Sequence, residues 1–190
     1  MMKRSILLLL FLITTITTFS QEHIKFMGIP IDGSIISFVE KLKTKGLVVK
    51  NKENGVYVLS GKFASYDNAE IFVFSTPKTN IVFKVVVYLP EKKTWSSIKS
   101  QYSDMVDLYS QKYALTVHFE YFMSPYYEGD SYEEQAVKLE KVIWSSFFKC
   151  DGGAIAVEIS KYMQLKIAYE DEINQNNASS EIESQVLDDI

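Results

Sequence analysis

The residues whose types and spacing best suit chemistry alternate along one predicted strand. Thr116, His118 and Glu120 occupy every second position, and side chains at such positions of a strand share one face. A His beside a carboxylate can act as a general base, because the carboxylate orients the ring and stabilises its protonated form. A solvated face of an antiparallel sheet shows the same alternation without catalysis. The pattern therefore predicts either a hydrolase-type acid–base pair or an ordinary polar sheet face.

Strand alternation extends this polar group beyond a single strand. We expect it on the sheet face turned away from the helices, where neighbouring strands would add Lys84, Glu158 and Lys166. Such a face could bind a partner without doing any chemistry.

A second candidate site lies between residues 126 and 134, where tyrosines alternate with acidic residues. Its members are Tyr126, Tyr127, Glu128, Asp130, Tyr132, Glu133 and Glu134. Phenol rings beside carboxylates can stack on sugars or form a protein-binding patch. The regular ligand spacing of an EF-hand calcium loop is absent. The alternative interpretation is a solvated loop that leads into a helix, with acidic residues at the positive helix end.

Part of this segment, Gly129-Asp130-Ser131, resembles the nucleophile block of the GDS-type lipases and esterases. Those enzymes activate the serine with a His that follows it in sequence. Both His residues of this chain, His23 and His118, precede Ser131. We therefore interpret Ser131 and Glu134 as a capping box at the start of a helix.

The sequence predicts neither a metal nor a cofactor. His23, His118 and Cys150 do not have the spacing of a zinc site, and the glycines form no phosphate-binding motif. Cys150 is the only cysteine, which excludes an intrachain disulfide. We expect it to be buried and inert at the end of a helix, the alternative being a bond between two molecules.

The charge balance argues against nucleic acid as a partner. The chain has 24 Asp and Glu against 20 Lys and Arg, a net charge of −4, and its only Arg is Arg4. Recognition of nucleic acid needs a concentrated basic surface. The last residues, 172–190, are acidic and show no apolar period, so we expect a disordered tail there.

The first twenty residues have the features of a secretory signal peptide. A basic start, Lys3 and Arg4, precedes an apolar run and then small polar residues. Thr18 and Ser20 predict cleavage before Gln21, which makes the protein secreted or periplasmic with no membrane span after cleavage. The alternative is a membrane anchor, but the apolar stretch is shorter than the roughly 20 residues of a spanning helix.

The rest of the chain reads as one α+β domain over residues 21–171, an antiparallel sheet with helices packed on one face. Helices are predicted after Asp32 or Ser34, after Thr94 and after Ser131, the third carrying Ala136, Leu139, Ile143 and Phe147 on its apolar side. Strands are predicted at 23–27, 47–50, 56–63, 70–75, 81–89, 115–123, 154–160 and 163–169. A helix followed by strands occurs twice, which suggests two related α-β halves.

Two resemblances bear on function. The opening run from Gly28 to Ser34, with Phe38, Leu42 and Lys45-Gly46, resembles small secreted bacterial proteins of unassigned function. The order of helix then meander, met twice, is similar to the beta-lactamase-inhibitor-protein and outer-membrane-assembly-lipoprotein folds. The resemblance implies binding of other proteins through a sheet surface and assigns no contact residue; the lipid-carrying cysteine of the lipoproteins is absent.

We therefore expect an exported, non-catalytic binding module for a protein or a glycan in the cell envelope. It would use the polar sheet face or the tyrosine-rich loop. Two alternatives stay open: an enzyme built on His118 and Glu120, and a structural envelope component that assembles with copies of itself.

Overall fold

The computed structural model describes residues 22–188 and 190. The predicted signal peptide and its cleavage site before Gln21 lie outside the described residues. The strands are β1 Lys25–Phe26, β2 Ile29–Pro30, β3 Val48–Glu53, β4 Val56–Phe63, β5 Tyr66–Ser75, β6 Val82–Tyr88, β7 Ala114–Phe122, β8 Val142–Cys150, β9 Gly153–Ile159 and β10 Leu165–Asp171. The helices are α1 Ile35–Thr44, α2 Trp95–Ser110, α3 Glu133–Lys138 and α4 Glu172–Asp188.

The topology confirms the predicted α+β class with an antiparallel sheet. Eight strands form one sheet in the order β3-β4-β5-β6-β10-β9-β8-β7, and β1 and β2 form a small hairpin. Each half is a helix followed by four strands, α1 with β3 to β6 and α2 with β7 to β10, and the second half has the short α3 between β7 and β8. The last strands of the two halves, β6 and β10, pair with each other at the centre of the sheet.

Local sequence explains how the two long helices and the first hairpin of the sheet form. The Ser34 and Thr94 hydroxyls accept hydrogen bonds from the backbone N–H groups of Ser37 and Ser97, as N-caps do. Asn54 and Gly55, at the β3–β4 turn, have φ values of 45° and 76°, which these two residue types tolerate. These predicted features are confirmed.

One face of the sheet is covered by α1, α2 and the β1–β2 hairpin. Apolar residues of all three are buried with inward-facing strand residues in one core, including Phe26, Phe38, Leu42, Ile98, Tyr102, Leu59, Ile71, Val87, Val157 and Ile167. The aromatic ring of Phe26 stacks on that of Phe63 and meets Tyr169 edge-on. Burial of these rings fixes the hairpin against the sheet.

The predicted third helix is wrong beyond its first turns. α3 ends at Lys138, and the following segment forms β8, the strand next to the edge strand β7. Leu139, Ile143 and Phe147 are four residues apart, and a step of four keeps side chains on one face of a strand as well as of a helix. The run from Val142 to Phe148 is rich in β-branched and aromatic residues, and this composition favours the strand. Cys150 consequently ends a strand instead of a helix.

The prediction of a disordered tail is also wrong, because residues 172–188 form α4. The buried Asn174 side chain donates hydrogen bonds to the carbonyl oxygens of Ile31 and Val82. About halfway along the helix, the Glu181 carboxylate accepts hydrogen bonds from the backbone N–H groups of Lys78 and Thr79. These polar contacts with distant loops hold α4 across the ends of the strands.

Candidate functional site

The sheet face opposite α1 and α2, which we call the open face, carries an unbroken apolar row. Cross-strand pairing places seven residues of successive strands side by side from β4 to β7: Val58, Phe72, Val86, Ala168, Ala156, Phe147 and Val117. Direct cross-strand neighbours share a face and touch. At a strand spacing of about 4.8 Å, the row is roughly 29 Å long.

Charged residues of the open face flank this row as ion pairs. The Lys166 ammonium lies 2.7 Å from the Glu158 carboxylate, and Lys84 forms a matching pair with Glu170. Both pairs join strands that are neighbours in the sheet. Because each ammonium has a carboxylate partner, the flanks have no net charge at these positions, and such part-exposed pairs add little stability.

Two adjoining grooves cross the open face. One, of about 450 Å³, is lined by strand residues that include Phe72, Phe74 and Tyr88, and by Tyr162 and Gln164 from the β9–β10 turn. The second, of about 360 Å³, shares Tyr88, Tyr162 and Lys166 with the first and extends towards α3. The open face is therefore grooved as well as apolar.

The predicted polar cluster is divided between the two faces of the sheet. Lys84, Glu158 and Lys166 lie on the open face, as expected, but His118 and Glu120 pair with Ser146 and Trp144 on the helix-covered face. The prediction placed the apolar residues of β7 over the core. β7 is the edge strand, however, and every residue of it except Phe122 is exposed, so no core dictates which of its sides is apolar. A bulge between Leu115 and Val117 further shifts the alternation.

The third member of the predicted cluster, Thr116, occupies this bulge. Its hydroxyl donates a 2.9 Å hydrogen bond to the carbonyl oxygen of Phe147. Thr116 therefore supports the bulge and does not join His118 in a site.

Behind β7, three side chains form a hydrogen-bonded chain that ends beside the Glu120 carboxylate and resembles an acid–base relay. The buried Tyr102 hydroxyl lies 2.6 Å from Ser146 Oγ, which lies 2.9 Å from His118 Nδ1. His118 Nε2 is 3.4 Å from a carboxylate oxygen of Glu120. Ser146 has no exposed surface, so a substrate cannot reach its hydroxyl. The chain satisfies a buried Ser and Tyr and links α2 to the sheet.

Burial of the tyrosines on this face predicts a loss of stability in alkali. Burial raises the pKa of both Tyr102 and Tyr109 to about 12. Below pH 10 each is neutral in the folded and the unfolded chain; above pH 10 only the unfolded chain loses the proton, so the free energy of unfolding falls as pH rises. We expect urea titrations to show that the free energy of unfolding falls between pH 9 and pH 11 by about 1 kcal/mol less in Tyr102→Phe than in wild type. Equal falls in the two proteins would contradict this.

The tyrosine-rich loop uses its carboxylates to hold itself in place. Glu134 accepts a 2.8 Å hydrogen bond from the backbone N–H of Trp95, at the start of α2. Glu128 accepts from the Lys99 ammonium and from the Trp95 indole N–H, and these two bonds hold the pKa of its carboxyl below the usual value. The loop is therefore docked on α2, which leaves little carboxylate capacity for a sugar.

The predicted capping box at Ser131 is wrong. Asp130 accepts hydrogen bonds from the backbone N–H groups of Tyr127 and Tyr132, and Glu133 accepts one from Gly129. Residue 132 occupies the N-cap of α3 without a side-chain bond. The remaining tyrosines differ in exposure: Tyr127 and Tyr132 are exposed, whereas Tyr126 packs partly against the core.

A polar cluster that the sequence did not predict joins the first described residues to α4. Asp171 has no exposed surface, and one of its oxygens lies 2.9 Å from His23 Nδ1 and accepts a bond from the backbone N–H of Ile24. Asp32 lies on the other side of the ring, 3.6 Å from His23 Nε2. Burial acts to raise the pKa of Asp32, but hydrogen bonds from Gly33 and Asn174 and the charge of His23 outweigh it, so the pKa is lowered.

No residue pattern could have indicated this cluster, since His23 and Asp171 are 148 positions apart. Asp171 is out of contact with solvent. We interpret it as the anchor that ties α4 and the β1–β2 hairpin to the sheet.

Other chemistry is limited in the part of the chain that the structure describes. Residues 22–188 and 190 contain no group of three or more His, Cys, Asp or Glu that could hold a metal ion. Burial, helped by Asp151, raises the pKa of the partly buried Cys150 to about 11, which disfavours its reactive thiolate. None of the described helices is both long and apolar enough to span a bilayer.

Comparisons of the chain with protein-family models, with curated proteins and with solved structures found no match.

Proposed function

We propose that this chain is a non-catalytic binding module that holds a protein partner on its open face. The observation that carries the proposal is the apolar row from Val58 to Val117, which crosses seven strands and faces away from the helices. Val86 and Ala168, near its centre, are only 4% and 5% exposed, and the other five members are partly exposed or exposed. A contiguous apolar patch of this kind is typical of an interaction site. The row, at roughly 29 Å, also matches the width of a standard protein interface, which buries about 800 Å² on each side.

The composition of the apolar row favours a protein over a glycan. Five residues of the row are Val or Ala, which cannot stack on sugar rings, and only Phe72 and Phe147 are aromatic. The nearest carboxylates, Glu158 and Glu170, are paired with lysines and are less available to sugar hydroxyls. Apolar side chains surrounded by a polar rim are the pattern of protein interfaces.

The alternative of an enzyme built on His118 has less support. A catalytic base of this kind needs a substrate pocket around it, whereas the His118 side chain is 41% exposed on an edge strand. The serine that it contacts is fully buried. Binding through the open face is therefore the stronger proposal.

The site of action is part of the proposal. The basic start, apolar run and small residues before Gln21 support export, and the partner would then be a protein of the cell envelope. Mass spectrometry of the exported chain should give a first residue of Gln21, and retention of Met1 would contradict export by cleavage.

Site-specific photocrosslinking in native cells tests the proposed surface. A photoreactive phenylalanine analogue replaces Phe74 or Tyr162, both of which line the larger groove. Matched controls carry the same analogue at Ile36 on α1 or Leu108 on α2, which are 60% and 58% exposed, close to the 61% of Tyr162. We expect a discrete heavier adduct from the two groove positions and none from the controls.

Two results would contradict the proposal. One is the absence of an adduct at both groove positions, with the protein expressed and folded. The other is an equally abundant adduct from Ile36 or Leu108, because contact would then not be specific to the open face.

A further inference from the structure

The two edges of the sheet differ in how well they are protected against pairing. β3, at one edge, carries Lys50, Lys52 and Glu53 and is bulged between Val49 and Asn51. Charges and bulges of this kind discourage addition of another strand. β7, at the other edge, is nine residues long and has one acidic residue and no lysine. Val117, Phe119 and Tyr121 on its open-face side are between 42% and 47% exposed.

Within the described residues, β7 pairs with β8 alone, so one side of its backbone is free to accept a further strand. Exposed apolar side chains and free peptide groups together make an edge that can be extended by another chain.

The residues of β7 are complementary to themselves in a single antiparallel register. Cross-strand neighbours must share a face, so the two-fold axis passes through a residue of β7. His118, Phe119 and Glu120 are the central residues of the exposed stretch 117–121, which begins where the bulge ends. Centring on His118 opposes two His rings, and centring on Glu120 opposes two carboxylates, which is unfavourable. Centring on Phe119 opposes His118 to Glu120 twice, Val117 to Tyr121 twice, and Phe119 to its own copy.

We propose that two copies of this chain associate through β7, antiparallel and centred on Phe119. The two-fold axis runs perpendicular to the sheet, so the eight strands of each copy continue into a sheet of sixteen. Apolar pairs then form on the open-face side and two His118–Glu120 pairs form on the helix side. The two open faces lie on the same side and become one surface.

The outer edges explain why assembly stops at two copies. After β7 is used, the dimer exposes β3 at both ends, where the lysines and the bulge oppose further pairing. The contact is isologous and closed, so it gives a dimer and not a filament.

Disulfide trapping tests both the dimer and its register. The single native thiol is removed with Cys150→Ser, and Phe119→Cys, Val117→Cys or Tyr121→Cys is added. Opposed residues of an antiparallel pair have Cα atoms about 5 Å apart, within the range of a disulfide. In the proposed register only residue 119 faces its own copy; residue 117 lies about 14 Å from its equivalent. We expect nearly complete oxidative crosslinking with Phe119→Cys and little with the other two.

Exchanging the charges at residues 118 and 120 gives an independent test, in which sedimentation velocity measures the strength of the dimer. Glu120→Lys opposes a lysine to His118, and His118→Glu opposes two acidic residues, so each is expected to weaken the dimer at least tenfold. The double variant His118→Glu, Glu120→Lys restores opposite charges and should recover most of that loss. Circular dichroism confirms that each variant is folded.

A protein that sediments as a monomer at 100 µM would overturn the proposal. Crosslinking through residue 117 or 121 as efficient as through residue 119 would overturn it as well. Neither result bears on the partner of the open face, which is tested separately by photocrosslinking. In that experiment an adduct with a second copy and an adduct with another protein differ in mass.

Discussion

Replacing Asp171 by alanine is expected to lower the free energy of unfolding by about 3 kcal/mol or more. The Asp171 carboxylate is fully buried and accepts hydrogen bonds from the backbone N–H groups of Ile24 and Asn174. It also holds the His23 ring at 2.9 Å. Its removal leaves these groups without partners in the interior, where each unsatisfied donor costs free energy. Urea denaturation followed by circular dichroism measures the loss.

The matched control is Asp32→Ala, which removes the other carboxylate beside the same His23 ring. The Asp32 side chain is 47% exposed and 3.6 Å from the ring, so water replaces much of its interaction, and we expect a loss of about 1 kcal/mol or less. Equal losses from the two variants would show that the buried anchor is not what ties α4 to the sheet.

The second large effect concerns binding. Ala156 lies in the middle of the apolar row, between Ala168 and Phe147, and its side chain points out of the open face. In Ala156→Lys a long charged side chain stands where a partner must make dry contact, and burying that charge without a counter-ion is costly. We expect the affinity for the partner captured by crosslinking to fall at least about a hundredfold, a change of roughly 2.7 kcal/mol.

Leu108→Lys is the control for this substitution. Leu108 is exposed on α2, on the covered side of the sheet, and the change adds the same charge far from the open face. Isothermal titration calorimetry should give the wild-type affinity for Leu108→Lys, and thermal unfolding should show both variants folded. Wild-type affinity in Ala156→Lys would remove the centre of the row from the interface.

Much of the fold could be predicted because its signals are local. The caps at Ser34 and Thr94 and the turn at Asn54-Gly55 each act over a few residues. β8 was missed because its apolar spacing of four fits a strand as well as a helix, and only its content of β-branched and aromatic residues distinguishes the two.

The candidate site was harder to predict, because alternation shows that residues share a face without showing which face. In β7 the alternation predicts that the apolar side covers the core. At the sheet edge it faces the open side instead, and His118 and Glu120 turn towards α2. Lys84, Glu158 and Lys166 were placed on the correct face, since they lie on central strands whose other side is buried. To predict the row of seven apolar residues, one must know the strand order and the register of the sheet. The sequence of a single strand contains neither.

Oxidative footprinting of the side chains, with and without the captured partner, shows directly which surface the partner covers. Hydroxyl radicals modify exposed aromatic rings, and a bound protein shields those beneath it. We expect Phe72, Tyr88 and Tyr162, around the grooves of the open face, to become protected while the exposed loop residues Tyr127 and Tyr132 react as before. Protection confined to that loop, with the three groove residues unchanged, would contradict this expectation.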